Sequence, residues 1–246
     1  MTGAQVIVLA TPVFLALIAL EAWIGRRRGR PGYRLDDAVS SIGLGVMSQV
    51  VGVFTGALLL GIYTLAWQHL RLATLPADAA WVWVSGLAIY DFCYYWHHRA
   101  GHRVALCWAA HVVHHQSEEY NLSTALRQTS TGWIASWVFY LPMAVIGFPP
   151  LVFASVALID LLYQYWVHTR QIGRLGWFDR WFCAPSNHRV HHAVNDAFID
   201  RNYGGILLVW DRLFGTWAPE DDAEPCVYGT RSLLRSDDPL RANLQV

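Results

Sequence analysis

Eleven histidines occur in this 246-residue chain, and their spacing is patterned. "HVVHH" places His111, His114 and His115, and "HRVHH" repeats the H-x-x-H-H pattern at His188, His191 and His192. His98 and His102, four residues apart, form a third pair. Residues three and four apart share one face of a helix, so each set is expected to converge on one point. Imidazole is a neutral ligand that suits iron, zinc, copper and nickel. Eight histidines in three clusters, with His168 as a ninth, are too many for one four-coordinate zinc and suit two metal ions. The Glu-x-x-His motif of carboxylate-bridged di-iron bundles and the H-E-x-x-H motif of zinc peptidases are both absent from the sequence. His97 and His69 are left out of the ligand set. The first points about 100° away from His98 on a helix, and the second falls on the far side of the chain's apolar segments.

The segments that must position these rings are apolar. Residues 6–24 are long enough to span a bilayer as a helix and are followed at once by "RRRGR". A secretory signal carries its positive charge ahead of the apolar run, so this segment reads as an uncleaved anchor. The arginines place residues 26–30 on the cytoplasmic side. Further spans are expected over about 44–67 and 79–96. Residues 133–166 are too long for one crossing, and "GFPP" in their middle breaks them into a hairpin, since Pro149 and Pro150 lack backbone donors. Gly101 is the expected break between His102 and His111. Counting crossings from the arginines puts residues 97–130 and 167–246 inside. The expectation is therefore a single all-α, multi-pass membrane bundle with a cytosolic helical cap that carries every histidine cluster.

Composition agrees with a membrane setting. Hydrophobic residues make up 54% of the chain and charged residues 15%, below the quarter usual for soluble domains. Eighteen basic residues balance eighteen acidic ones, which gives no case for nucleic acid. Thirteen tryptophans suit membrane interfaces. Cys93, Cys107, Cys183 and Cys226 form no C-x-x-C pair and read as reduced, structural residues. A histidine-rich pair of metals beside a bilayer points to oxygen activation on a lipid, with iron the usual metal.

"DFCYYWHHRAGH", "HVVHH" and "NHRVHH" resemble the three histidine boxes of the fatty acid hydroxylase / sterol desaturase superfamily. "WAAHVVHHQSEEYNLSTALRQ", "LLYQYWVHT" and "GILLVWDRLFGTW" are most similar to its alkylglycerol monooxygenase branch. The likeness covers roughly residues 80–218. It implies a di-iron centre held by His98, His102, His111, His114, His115, His168, His188, His191 and His192. It also implies O2 as oxidant, and an electron-donor protein or reduced small-molecule cofactor as source of electrons. The substrate would be an acyl, alkyl or sterol-like lipid, which is hydroxylated or desaturated.

Ligand histidines need their second nitrogen held. Asp91, seven residues before His98, Gln164, four before His168, and Asn195, just after His192, are candidates for that task. Asp160 is a further one, balanced against an ordinary helix–helix hydrogen bond. Glu118 and Glu119 are read as a solvated turn. Residues 120–128 could line an access route, with Arg127 ordering a head group. A zinc-dependent membrane hydrolase, a bis-histidine haem carrier and a non-catalytic metal-binding membrane protein are the competing classes. The first usually needs a nearby glutamate base, and the second would carry its histidines within the spans.

Overall fold

A computed structural model describes residues 3–244. The regular elements among the described residues are all helices, with isolated bridges at Phe182–Leu207 and Ala193–Tyr228 and no strands. Three long helices come first: α1 (Gly3–Arg27), α2 (Leu35–Leu70) and α3 (Ala80–Arg103). Next come α4 (Ala105–His115), a bent helical stretch containing α5 (Trp133–Ser136) and α6 (Leu141–Ile146), and α7 (Pro150–Trp166). Four short helices finish the chain: α8 (Phe178–Trp181), α9 (Pro185–His191), α10 (Val209–Leu213) and α11 (Pro239–Leu244).

Among the described residues, α1 and α2 are long and apolar enough to cross a membrane. Neither is a core helix, since only 6% of each one's most apolar window is buried. Val8, Leu9, Val13, Val53 and Phe54 are all more than half exposed. The second apolar segment is expected over 44–67, but α2 begins nine residues earlier. Its first turn carries Asp36 and Asp37, which complement the positive end of the helix. That early part belongs to the histidine-bearing end, because Ser117 donates to Asp37 and Arg127 donates to Ser40 and Ser41. The third helix is long, but it carries Asp91, Arg99 and Arg103 as well as histidines, and α5–α7 are short. These elements pack on α2 through Tyr63, Val82, Tyr90, Tyr140, Met143, Phe148, Val152 and Val156.

The break at "GFPP" is where the sequence places it. Gly147 takes φ 116°, and Pro149 is the extended residue before α7. A Cβ on Gly147 would stand 2.0 Å from the Ala73 carbonyl oxygen, so the residue is fixed by both conformation and space. The other expected break is displaced. Gly101 stays helical, and the chain turns at Val104 (φ −113°, ψ 119°). Gly101 instead makes room: an added Cβ would lie 3.2 Å from the ring of His111.

Candidate metal centre

Three helix ends and one loop bring the nine predicted histidines together. His98 and His102 close α3, His111, His114 and His115 close α4, His188 and His191 lie on α9 with His192 just after it, and His168 follows α7. They form two groups whose ligand atoms lie within 4.8 Å of one another. One group is His98, His102, His111, His115 and His191; the other is His114, His168, His188 and His192. The expectation that each H-x-x-H-H set converges on one point is corrected here. The residues four apart stay together, whereas the middle histidine of each set crosses to the other group. His114 leaves its α4 neighbours and His191 leaves its α9 neighbours, so each His–His doublet straddles both groups. His115 and His192 stack across the divide with ring centroids 4.3 Å apart.

The hydrogen bonds fix which nitrogens face inward. The Nδ1–H of His98 donates to the Tyr203 carbonyl (2.8 Å), that of His114 to Arg127 (3.0 Å), that of His168 to Gln164 (2.8 Å) and that of His191 to Arg201 (3.0 Å). A carbonyl only accepts, so each of these neutral rings has a bare Nε2. Burial holds all four rings below the ordinary histidine pKa, His114 at about 4 and His191 at about 3. Yet His114 Nε2 and His168 Nε2 lie 3.2 Å apart, with no proton available to place between them. His188 Nε2 is 3.0 Å from His168 Nε2 and 3.2 Å from His192 Nε2. In the other group His111 Nε2 lies 3.1 Å from both His98 Nε2 and His115 Nε2, and His191 Nε2 and His102 Nε2 are buried without partners. Two lone pairs face to face are unfavourable unless a cation lies between them. Ligand nitrogens about 2.1 Å from a metal and at right angles to each other stand about 3 Å apart. The donor set and its spacing therefore fit a metal ion in each group.

The residues expected to hold the second nitrogens do so only in part. Gln164 takes part through its backbone oxygen; its side chain accepts from the Tyr94 hydroxyl (2.6 Å) and donates to Asp160 (2.5 Å). Asp91 touches no histidine. Its carboxylate accepts from the Ile206 and Leu207 amides and the Trp210 indole, and so braces the loop that presents the Tyr203 carbonyl to His98. Asn195 instead accepts from the Val227 amide and donates to the Pro225 carbonyl, tying down the C-terminal stretch. Arg127 is not available to a head group, since its guanidinium is buried against Val113, Ser40, Ser41 and Gln116. Glu118 and Glu119 pair with Arg34 and Arg170 on a partly solvated turn.

Other supports carry no signal in the histidine spacing. Arg189, inside the third cluster, makes a bidentate pair with Glu220 (2.6 and 2.8 Å) and donates to the Thr169 and Ile172 carbonyls. Glu21, at the end of α1, accepts from Tyr33, Thr169 and the Leu122 amide. Asp211 holds the Tyr203 and Gly204 amides. A carboxylate in an apolar helix end is the one available hint for Glu21.

A cavity of about 1400 Å3 opens onto both groups. His98 and His111 of one group and His114 and His168 of the other line it, and its remaining wall is largely apolar side chains of α1, α2, α3 and α7. The fatty acid hydroxylase family model matches residues 83–216, the stretch that holds all nine histidines. The chain belongs to the fatty acid hydroxylase family. It is 44% identical to a human alkylglycerol monooxygenase over 94% of its own length and 52% of that protein's, and 43% identical to one from Danio rerio over 89% and 49%. An ornithine lipid hydroxylase from Rhizobium tropici is 29% identical over 54% of this chain and 41% of its own. The chain thus spans about half the length of the alkylglycerol monooxygenases it matches. No solved structure matches it.

Proposed function

We propose that the chain is a multi-pass membrane oxygenase that hydroxylates a C–H bond of an alkyl or acyl lipid at a di-iron centre. His98, His102, His111, His115 and His191 would hold one ion, and His114, His168, His188 and His192 the other. Two irons held there would supply O2 activation, drawing two electrons from an external donor. The protein's own residues orient and shield. Backbone carbonyls of Tyr203, Arg127, Gln164 and Arg201 lock the four rings with Nε2 inward. The apolar cavity takes the lipid tail and keeps bulk water away from the reacting bond.

The observation that carries this reading is one cavity reached by imidazoles of both groups. Its volume exceeds the 300–1000 Å3 usual for drug-sized ligands and suits a long chain. Neither histidine group includes a carboxylate to serve as a hydrolytic base. The names of the relatives favour hydroxylation over desaturation and an ether-linked or amino-acid-linked lipid over a sterol. The exposed apolar flanks of α1 and α2 suit lipid tails, and Arg26 to Arg30 favour a cytoplasmic position for the histidine-bearing end. Iron-loaded protein in vesicles, given a reductant and 18O2, should place one 18O in the lipid product. A product formed without O2, or one lacking 18O when any aldehyde is reduced to the alcohol before its oxygen can exchange with water, would refute the assignment.

A further inference from the structure

We propose that the cavity carries its own recognition site for an uncharged lipid oxygen, built from His97 and Tyr140. This rests on the oxygenase reading and names where a polar atom of its lipid is held. His97 precedes His98 in sequence but belongs to neither histidine group. One step along α3 turns its side chain by about 100°. Its half-buried ring lines the cavity, with centroids of Phe139 at 5.3 Å and Tyr140 at 5.9 Å. The Tyr140 hydroxyl lies 3.4 Å from Nδ1, a long contact, and Nε2 has no hydrogen-bond partner among the described residues. Tyr140 is held in turn by stacking on Tyr90 at 4.8 Å, and both line the cavity.

In this site the Tyr140 hydroxyl would donate to Nδ1, which places the proton of the neutral ring on Nε2. That is a hydrogen-bond donor without an acceptor beside a largely apolar space. An ether, hydroxyl or ester oxygen would satisfy it. A carboxylate or phosphate would also accept, but among the residues lining the cavity there is no Lys or Arg to offset its desolvation, and Asp160 is present. The site therefore favours an uncharged oxygen. His97 lines the same cavity as His98, His111, His114 and His168, so a lipid oxygen held at His97 keeps its chain in the space that reaches the histidine groups.

Binding measured without O2 tests this apart from turnover. A long-chain 1-O-alkylglycerol and the n-alkane of equal chain length are titrated into the metal-loaded protein in the same detergent, and tryptophan fluorescence is followed. His97→Phe should weaken alkylglycerol binding about three- to tenfold, the loss of one hydrogen bond. Alkane binding, metal content and melting temperature should stay at the wild-type values. His97→Gln, which restores an N–H donor, should recover most of the loss, and Tyr140→Phe should give a smaller one. Equal weakening of both ligands, or none, would overturn the proposal. If His97→Phe fails to fold, Tyr140→Phe decides: weakening confined to the alkylglycerol supports the site, and equal weakening of both ligands or none overturns it. A protein that discriminates the two ligands yet never oxygenates would sink only the functional reading. One that oxygenates without discriminating would sink only this site.

Discussion

Single side chains divide into those that face inward and those that set their aim. His168 and His191 stand in different groups, each with Nδ1 committed to a carbonyl and Nε2 directed inward. Exchange of either for Ala should remove one of two metals and abolish turnover, with metal counted by mass spectrometry. Retention of both metals in either variant would break the ligand assignment. Asp91 acts at one remove. Asp91→Ala would strip acceptors from two amides and an indole, at about 1–3 kcal/mol for each buried group left unpaired. The variant should lower the unfolding midpoint and loosen the ion nearer His98 before the other. Equal loss of both ions would argue against the bracing role.

Eight of the nine histidines are legible by spacing, six in the two H-x-x-H-H sets and His98 and His102 four apart, whereas His168 stands alone and carries no spacing signal. Their partition into two groups is not legible. Helical periodicity sets which rings share a face, and it correctly keeps His111 with His115 and His188 with His192. It cannot show that two helix ends meet so closely that His114 and His191 are nearer the opposite centre. The Nδ1 partners are hidden for a different reason. They are backbone carbonyls, which every residue has, and a search for polar side chains leads instead to Asp91 and Asn195.

At the scale of elements, punctuation by Gly and Pro is legible and packing less so. "GFPP" has to break the helix, whereas the turn at Val104 carries no breaker residue and results from docking α4 against α3. The helix α2 overruns its apolar stretch because Asp36 and Asp37 begin it well, and hydropathy alone registers only the apolar residues beyond them. The hairpin tip is clamped: the Tyr63 hydroxyl donates to Phe148 O and the Trp67 indole to Gly147 O. Gly147→Ala should destabilise the protein by at least about 1–2 kcal/mol for the left-handed conformation, with more from the clash at Ala73. A thermal melt of the detergent-solubilised protein that matches wild type would contradict that geometry.

The whole molecule joins an apolar cavity between long helices to a histidine-rich end. Its orientation in the bilayer can be tested directly. With Cys107 and Cys226 changed to Ser, a membrane-impermeant thiol reagent applied to intact cells should label Leu72→Cys. It should reach Arg28→Cys only after the membrane is opened. The reverse pattern would place the histidine end outside. The central claim, that nine imidazoles form two metal sites, is tested most directly by the metal content of protein purified from iron-replete cells. Two irons per chain and no haem absorbance are expected. A single metal per chain, or a bound haem, would contradict the claim.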